Sequence, residues 1–370
     1  MTRKEFLQTV AGTAAVSMLI PGSSAAPASP PAPAAAPRPK RGVTLYSYQE
    51  EYYTRTMTVE DCIEEVSDMG ADGIEMLPEA MVPDFPTPSD RWVDQWHGWM
   101  DKYHTKPICY TQFQETKLYK SRPLTDEEAV ANMVRDLKLA KRLGFKIVRG
   151  IAWTPLEHIE KALPYAEEYD IKFAVEIHSP IPLMGDRVNQ CLDMIHRTKT
   201  KNFGFVPDFS LFAKRPPRIE RDQKIRQGLL TKLVADYLEH AYAADVPFEK
   251  AKAEAEKMGY VEIDHGYGTY LDEVYNRGFF GTTRNDPKDL LKIMPYIFHC
   301  HAKFWEMTDD LKEYSIDYAE VLPVLIQGGY DGYLVSEYEG QRFTQDAFET
   351  DSCEQVRRHH VMMRRLLHEV

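Results

Sequence analysis

Cysteine is scarce in this sequence, and the spacing of the few that occur excludes two common uses of the residue. The 370 residues contain five cysteines, an odd number without any C-x-x-C pair. They are Cys62, Cys109, Cys191, Cys300 and Cys353. Neither a disulfide framework nor a structural zinc site is therefore expected.

Basic residues are also few relative to acidic ones. The chain has 45 Lys and Arg against 57 Asp and Glu, a formal net charge of −12 at pH 7. Nucleic acids and anionic membrane surfaces attract proteins through a basic face, so neither is expected as a partner. The rest of the composition, 43% hydrophobic and 11% aromatic, is ordinary for a globular protein with a sizeable core.

The N-terminus has the three parts of a secretory signal peptide. Arg3 and Lys4 precede an apolar run over 9–20, and small residues follow at 23–26. The run is too short to span a bilayer, so no stable membrane anchor is expected. The signal resembles a twin-arginine signal, although Lys4 stands at the second arginine position, and it predicts export to the periplasm or the cell exterior. The predicted boundaries are 1–26 for the signal peptide and 27–40 for a stiff Pro/Ala linker.

After the linker, short apolar stretches alternate with segments of helical periodicity. Eight such pairs occur, and the apolar stretches suit strands buried on both faces of a parallel sheet. The strands are predicted at 42–48, 73–77, 107–112, 146–149, 171–177, 203–206, 296–304 and 332–336. The helices are predicted at 57–69, 89–103, 125–143, 155–169, 186–197, 287–294, 314–327 and 345–367. The economical architecture is a single α/β domain over 41–370, a (β/α)8 TIM barrel, with a doubly wound sheet as the alternative.

A segment of about 214–286 interrupts the alternation between strands six and seven. It contains a charged helical region at 219–258 and a loop rich in glycine and tyrosine. Such an insertion would cover the mouth of a barrel and could build a pocket for a glycoside, or it could form an interface with a partner. The pocket side chains would be Tyr267, Tyr270, Tyr275 and Phe279.

Polar side chains gather where the predicted strands end, which is where a TIM barrel builds its active site. Strands five to eight end with three carboxylates and an imidazole, which would converge around the barrel axis. Hard oxygen ligands with one histidine suit Mn²⁺, Mg²⁺ or Co²⁺. Without a cation, the clustered carboxylates would repel one another. The predicted metal ligands are Glu176, Asp208, His301 and Glu337.

The predicted strand at 296–304 carries two histidines and a lysine on one face. Side chains alternate along a strand, so His299, His301 and Lys303 share a side. Taken alone, a buried core histidine and a lysine at the strand end would explain the pattern equally well. Beside three carboxylates, His301 is predicted to be the ligand, and His299 and Lys303 are predicted to face the substrate.

A catalytic base is predicted beside the metal ligands. His178 lies two residues after Glu176, hence on the same face, and imidazole titrates near neutral pH. A divalent cation that chelates a carbonyl and a neighbouring hydroxyl favours loss of the adjacent proton. Reprotonation of the enolate would isomerise or epimerise a sugar, whereas loss of a β-substituent would cleave a glycoside.

Three further polar residues close strands two, four and eight. Glu75 and Arg149 are each interpreted as a local structural group, such as a helix cap, or as a substrate contact of modest weight. Glu339 is predicted to bind the sugar or to orient His299 and Lys303.

Four motifs give the chain a resemblance to the sugar phosphate isomerase/epimerase superfamily, with its xylose isomerase-like TIM barrel. The resemblance runs from about residue 42 to the C-terminus. It implies that the four predicted ligands bind one divalent cation, usually manganese, with Mg²⁺, Co²⁺ and Zn²⁺ as alternatives. The motifs are Val175-Glu176-Ile177-His178-Ser179-Pro180, Val206-Pro207-Asp208-Phe209, His299-Cys300-His301-Ala302-Lys303-Phe304 and Ser336-Glu337-Tyr338-Glu339-Gly340.

Within the superfamily, the E-I-H-S-P, H-x-H-x-K-F and S-E-Y-E-G forms are most similar to catalytic subunits of C-glycoside deglycosidases, which act on 3-keto-glycosides. This similarity implies a sugar or glycoside as substrate and His178 as the base, and Glu337 is counted as the second catalytic residue. A homo-oligomer or an accessory subunit is compatible with it. The signal peptide and the lack of a phosphate-binding Gly-rich loop depart from the cytoplasmic isomerases and leave the substrate open.

Two other classes of function remain as alternatives. An endonuclease on the related barrel would cut at abasic DNA sites, but it would need more metal ligands and a basic face. A non-catalytic, exported sugar-binding barrel would keep the fold and lose the chemistry. The predicted metal ligands together with His178 argue against the non-catalytic sugar-binding barrel.

Overall fold

The computed structural model of the chain describes residues 38–114, 118–263, 269–272, 274–275, 284–347 and 351–369. The predicted signal peptide and nearly all of the predicted linker lie outside these ranges, as do Tyr267 and Phe279. Within them, no helix combines the length and the apolar character needed to cross a bilayer.

Eight parallel strands, counted over the described residues, form a sheet that curls almost into closure. They are β1 Lys40–Thr44, β2 Gly73–Met76, β3 Lys106–Gln112, β4 Ile147–Gly150, β5 Lys172–Ile177, β6 Phe203–Pro207, β7 Cys300–Phe304 and β8 Tyr333–Tyr338. Their order is β6-β5-β4-β3-β2-β1-β8-β7. Two isolated parallel bridges, Phe205 with Ile297 and Asp208 with His301, join the outer strands β6 and β7. The predicted (β/α)8 TIM barrel is confirmed, and the doubly wound sheet is excluded.

Helices separate consecutive strands along the chain. Over the described residues they are α1 Gln49–Tyr53, α2 Val59–Asp68, α3 Pro78–Met81, α4 Asp90–Tyr103, α5 Asp126–Arg142, α6 Leu156–Tyr169, α7 Asp186–Thr198, α8 Arg218–Arg226, α9 Lys232–Ala243, α10 Phe248–Lys257, α11 Tyr270–Asp272, α12 Leu290–Ile293, α13 Tyr318–Gln327 and α14 Ser352–Leu366. Thr58 and Thr125 close capping boxes at the start of α2 and α5, which satisfies N–H groups that a helix start leaves without partners. Gly144, at φ +86°, ends the turn after α5.

The strands β2, β6 and β7 are buried along their whole length, so their side chains meet protein on both faces of the sheet. The main hydrophobic core combines strand residues such as Phe173 and Phe205 with residues of the helices, such as Trp96 and Leu137. A polar side chain that points into such a barrel must find its partners there.

The segment between β6 and β7 contains α8 to α11 and has a small hydrophobic core of its own, which includes Val234, Leu238 and Ala251. Its first helix is tied to the loops that follow β7 and β8. Arg218 Nε donates to Glu306 Oε2 at 3.1 Å, and Arg226 Nη2 donates to Asp346 Oδ1 at 2.7 Å. The insertion is thereby held beside the carboxyl ends of these strands.

Several predicted elements have other boundaries in the structure, including the strand at 42–48, which ends at Thr44, and the helix at 287–294, of which only Leu290–Ile293 are α-helical. Four of these differences have a local cause. The strand at 296–304 starts only at Cys300, because Met294–Tyr296 form a 3-10 turn with Pro295 in it. The helical region at 219–258 is three helices, since Gly228 adopts φ +73° and Pro247 precedes the last helix. The helices predicted from 314 and 345 begin at Tyr318 and Ser352. Their N-caps are Asp317 and Asp351, whose carboxylates accept from Ala319 N and Glu354 N.

Candidate metal centre and active site

Four side chains from consecutive strands meet at the carboxyl end of the barrel. Glu176 lies in β5, Asp208 directly after β6, His301 in β7 and Glu337 in β8. One ligand atom from each lies within 4.8 Å of the other three. The bridge between Asp208 and His301 and the pairing of Lys303 with Glu337 fix the register that brings them together. The fold thus assembles all four predicted metal ligands.

His301 lies at the centre of the carboxylates and has both ring nitrogens occupied by acidic neighbours. Its Nδ1 is 2.7 Å from Glu176 Oε1, 3.1 Å from Glu337 Oε2 and 4.0 Å from Asp208 Oδ2. Its Nε2 is 3.1 Å from both carboxylate oxygens of Glu75. The residue is 1% exposed, so protein groups alone determine how the ring is oriented.

Two carboxylate oxygens of this cluster have no hydrogen bond of acceptable geometry. They are Asp208 Oδ2 and Glu337 Oε2, both buried, although Lys303 Nζ lies 3.1 Å from the first and 3.5 Å from the second. Buried oxygens normally find directed partners. Three carboxylates, which are hard oxygen ligands, together with one imidazole suit a divalent cation. The residues present therefore fit the predicted metal, and two of the ligands have an oxygen left to bind it.

The formal charges of the buried cluster also favour a divalent cation at this site. Glu75, Glu176, Asp208 and Glu337 carry four negative charges when ionised, and each is at most 6% exposed. Arg149 and Lys303 supply two positive charges. When His301 is neutral, as a metal ligand must be, the set has an excess of two negative charges, which a divalent cation would balance. Unbalanced charges in a protein interior are costly.

The carboxyl groups respond differently to their surroundings. Burial raises the pKa of Asp208 to about 6. Burial also opposes ionisation of Glu176, but Arg149 and His301 hold its pKa well below the usual range. The pKa of Glu337 is lowered against the effect of burial, because Lys303 and His301 are close. Like charges that share one buried site resist simultaneous ionisation, and a cation removes that conflict.

Lys303 lies one step along β7 from His301, on the same face. Its Nζ is 3.1 Å from Asp208 Oδ2 and 3.7 Å from Glu339 Oε2. Burial would lower the pKa of the ammonium group, but the surrounding carboxylates raise it well above the usual value. The side chain is 11% exposed, the most open of the charged groups on this strand. A protonated amine is thus presented at the edge of the metal site.

Glu339 is held by groups that the sequence analysis did not single out. Its Oε1 accepts hydrogen bonds from Tyr46 Oη at 3.1 Å and Arg342 Nη1 at 3.0 Å. Tyr46 follows β1 at the carboxyl end, so the positional rule used for the other strands would have found it. Gly340 follows Glu339, and a Cβ there would clash with the carbonyl oxygen of Trp305. The glycine in this motif therefore serves the close approach of two loops.

Arg149 is a buried ion-pair partner of Glu176, one of the predicted metal ligands. Its guanidinium pairs with Glu176 Oε2 and lies 5.7 Å from the centre of the Phe113 ring. The proximity of Glu176 raises its pKa despite burial. Its side chain points to the site rather than to a helix start, and its contact with a substrate stays a prediction.

His178 follows β5 and is half-buried at the rim of the site. Its Nδ1 lies within hydrogen-bonding distance of the carbonyl oxygen of Ser179. A carbonyl only accepts, so Nδ1 carries the hydrogen and the lone pair of the neutral ring is on Nε2. The arrangement leaves one basic nitrogen available for a proton from a substrate.

Glu75 and His299 occupy a deeper position than the sequence predicts. Both are fully buried, at 0% exposure. His299 Nε2 lies 2.7 Å from Glu75 Oε2, and Thr111 Oγ1 donates to Glu75 Oε1 at 2.8 Å. In the structure, Glu75 contacts Thr111 and His299 rather than a helix start, and both Glu75 and His299 lie beneath His301 without exposed surface. Their contact with a substrate stays a prediction.

Cys109 also approaches this deeper layer. Glu75, Cys109 and His299 bring possible ligand atoms within 4.8 Å of one another. Burial raises the pKa of the Cys109 thiol well above its usual value, so the sulfur keeps its proton. Metals bind the thiolate rather than the thiol. We therefore interpret this cluster as a hydrogen-bonded support for the site above it.

The described tyrosines of the insertion do not line a glycoside pocket as predicted. Tyr270 is 3% exposed and donates to Glu239 at 2.8 Å. The ring of Tyr275 packs against those of Tyr242 and Phe248, with centroids 5.6 and 5.8 Å apart. Both belong to the core of the insertion, because apolar helices without access to the main core must build their own.

The fold and the site together define a class of protein, and comparison with known sequences confirms it. The model of the xylose isomerase-like TIM barrel family matches residues 63–359. The chain belongs to this family.

Individual relatives narrow the class. A C-glycoside deglycosidase alpha subunit of Arthrobacter globiformis is 30% identical over 330 residues, which cover 89% of this chain and 92% of that protein. A 3'-dehydrocarminate deglycosidase alpha subunit of Microbacterium sp. is 28% identical over 345 residues, covering 90% and 96%. A solved D-allulose 3-epimerase from Methylomonas sp. is 10% identical, with a TM-score of 0.52 over 89% of this chain and 98% of that one, and shows likeness of fold. The chain is a sugar-modifying enzyme, as the sequence predicts.

Proposed function

We propose that this enzyme depends on a divalent cation, removes the proton next to the carbonyl of a 3-keto-glycoside, and cleaves the glycosidic bond by β-elimination. The observation that carries the proposal is the convergence of Glu176, Asp208, His301 and Glu337 within 4.8 Å at the end of the barrel where active sites form. The deglycosidase names of the relatives favour cleavage over isomerisation.

The four converging residues would hold the cation, and Mn²⁺ is our proposed choice for this ligand set. When bound, the cation would stabilise the negative charge that develops on the substrate oxygens as the adjacent C–H bond breaks. Arg149 keeps Glu176 ionised for this role, because their side chains form a buried ion pair.

His178 acts as the base in the proposed reaction. Its Nε2 takes the proton from the carbon that lies between the carbonyl carbon and the glycosidic carbon. The released electron pair forms a carbon–carbon double bond while the bond to the aglycone breaks. The products are an unsaturated keto-sugar and the aglycone.

Lys303 completes the proton balance as the proposed acid. Its ammonium group donates a proton to the departing atom of the aglycone, and solvent later restores both His178 and Lys303. Asp208, Glu337 and Glu339 surround the ammonium at 3.1 to 3.7 Å and hold it in place. Glu337 therefore serves both the cation and the acid, in keeping with its predicted catalytic role.

NMR in D₂O with a panel of glucosides and their 3-keto forms tests the proposal. We expect the Mn²⁺-loaded enzyme to release aglycone and an unsaturated sugar from a keto form, and the chelator-treated enzyme to release neither. Deuterium incorporation at one carbon without cleavage would establish epimerase-type chemistry instead. Neither exchange nor cleavage, with sugar binding retained, would favour the non-catalytic sugar-binding barrel.

Variants of the ligands separate the metal from the fold. Glu176→Gln, Asp208→Asn and Glu337→Gln should each lose bound metal, measured by elemental analysis, and lose activity with it. Glu239→Gln, a change in the insertion, is the matched control and should keep both. Ligand variants that bind metal at wild-type occupancy would contradict the assignment.

The proposed cellular setting has two parts. Export rests on the basic residues and the apolar run at the N-terminus, and a reporter fused to residues 1–40 should be translocated and cleaved. Normal export in cells without the twin-arginine translocase would contradict the twin-arginine route.

An accessory subunit is suggested by the relatives, which are named alpha subunits. The chain is purified alone, and light scattering shows whether it is a monomer or a homo-oligomer. Full activity of this preparation would contradict the need for an accessory subunit.

A further inference from the structure

Glu75 is the one carboxylate of the buried cluster that touches the metal ligands without belonging to them. It lies in β2, on the side of the barrel opposite the seam between β6 and β7 in strand order, and has 0% exposure. Its partners come from β3 and from the residue that directly precedes β7. Thr111 Oγ1 donates to Oε1, and His299 Nε2 lies 2.7 Å from Oε2.

The same carboxylate lies against His301 from below. His301 Nε2 is 3.1 Å from Oε1 and 3.1 Å from Oε2 of Glu75. An ionised carboxylate only accepts hydrogen bonds, so the hydrogen of this contact is on His301 Nε2. The same rule puts a hydrogen on Nδ1 when it faces the oxygens of Glu176 and Glu337 alone. A cation bound by these residues would replace that hydrogen, so Nδ1 would give its lone pair to the cation while Nε2 keeps its hydrogen toward Glu75.

The nitrogen that would bind the cation is the one that faces the other ligands. His301 Nδ1 lies 2.7 Å from Glu176 Oε1 and 3.1 Å from Glu337 Oε2. If the ring were turned over by 180°, carbon atoms would take the places of both nitrogens, and the contacts with Glu75 and with Glu176 would be lost together. Metal-binding histidines in general use their second nitrogen to bond a carboxylate, which fixes tautomer and orientation.

We propose that Glu75 is a positioning residue that directs Nδ1 of His301 at the cation, and that Thr111 and His299 hold Glu75 for this task. The inference rests on the proposed function, because it concerns the cation of that site. Glu75 never contacts substrate or metal in this account. Its effect reaches the chemistry only through the ring of His301.

Cation affinity of a matched pair of variants tests the proposal. Glu75→Gln keeps the size of the side chain and removes its charge, and we expect about 10- to 100-fold weaker Mn²⁺ binding by isothermal titration. Asp136→Asn removes another buried carboxyl, which pairs with Arg135 far along the sequence from every ligand. It should bind Mn²⁺ like the wild type. Circular dichroism of the metal-free variants checks that both are folded.

Nitrogen NMR of the wild-type enzyme loaded with Zn²⁺ supplies a readout independent of activity and of the variants. We expect the His301 ring to show a hydrogen on Nε2 and metal coordination at Nδ1. Coordination through Nε2 would overturn the proposal even if Glu75→Gln failed to fold. Thr111→Val, which removes only the donor to Glu75, should weaken Mn²⁺ binding in the same direction by a smaller factor.

The outcomes separate this inference from the function on which it rests. A wild type that binds no divalent cation would overturn both. A wild type and a Glu75→Gln variant that bind Mn²⁺ equally well would overturn the positioning role alone and leave the proposed reaction intact.

Discussion

A histidine that gives one ring nitrogen to a neighbouring carbonyl has a single nitrogen left for proton transfer. His178 is in this situation, because Nδ1 meets the carbonyl of Ser179. His178→Ala should keep bound metal and lose about 10²- to 10⁴-fold in turnover of the keto-glycoside. His196→Ala removes an exposed histidine from α7 and is the control that should stay fully active. Wild-type turnover of His178→Ala would refute its role as base.

Lys303 offers a prediction in which metal binding and turnover move apart. The ammonium competes with the cation for Asp208 and Glu337, at 3.1 and 3.5 Å. Lys303→Met keeps the length of the side chain, so Mn²⁺ affinity should be unchanged or higher while turnover falls. Lys214→Met, which removes a surface ion pair, should change neither. Weaker Mn²⁺ binding by Lys303→Met would show that the lysine organises the ligands instead of serving as the acid.

The positions of the four proposed metal ligands were predictable from sequence, whereas the environment of each was only partly so. Glu176, Asp208 and Glu337 lie at or directly after the ends of their strands, and the barrel itself brings strand ends together beside His301 of β7. Glu75 also ends a strand, but its contact with His301 joins residues 226 positions apart. The alternation of apolar and polar residues along a strand does not predict how deep a side chain lies along the barrel axis. The depth of His299 was not predictable for the same reason, since strand alternation gives the face and not the layer.

At the scale of single elements, the best predictions rest on local chemistry. The helices predicted from 57 and 125 begin within about two residues of those positions, where Thr58 and Thr125 close capping boxes whose partners lie within one turn. The strand predicted from Tyr296 failed at its start, where Pro295 supports a 3-10 turn instead. Apolar and aromatic residues before β7 fit a strand by composition. Their actual conformation depends on packing against β6, which composition does not contain.

Helix α14 carries a buried histidine with a strong pH response. His359 stacks on Phe304, with centroids 4.1 Å apart, and its Nδ1 lies 2.7 Å from Ser336 Oγ. Burial lowers its pKa to about 3, against about 6.5 for an unfolded chain. The unfolded state therefore takes up the proton first as pH falls. The stability contribution is complete above pH 6.5 and is lost toward pH 3, by on the order of 4–5 kcal/mol.

His359→Phe removes this titration and keeps an aromatic ring against Phe304. We expect the variant to be less stable than the wild type at pH 7 by about 1 kcal/mol, because Ser336 loses a hydrogen-bond partner. The difference in the free energy of unfolding between the wild type and the variant should shrink as the pH falls toward 3, and the variant should then become the more stable of the two. Urea unfolding at several pH values measures it, with His196→Phe as an exposed control. A difference that does not vary with pH would show that His359 does not titrate as described.

The whole molecule couples the site to the stability of the barrel. All four predicted ligands come from β5 to β8, so a bound cation would join half of the strands. A ligand that binds only the folded state stabilises it by about 2.7 kcal/mol at a concentration of 100 times Kd. The melting temperature should therefore rise on addition of Mn²⁺ to the wild type and stay constant for Glu176→Gln. An equal shift in both would point to a cation site elsewhere.

The seam between β6 and β7 gives this coupling a direction. The two strands are joined by isolated bridges, and one of the bridging pairs is Asp208 with His301. A cation held by these two residues would lie across the edge of the barrel that is joined by isolated bridges instead of a continuous ladder. It would therefore link the two strands that close the barrel. Amide exchange in residues 203–207 and 300–304 should then slow on metal loading more than exchange in β3 and β4. Asp208 and His301 would then serve both the catalysed reaction and the closure of the barrel. A substitution of either residue would affect activity and stability together.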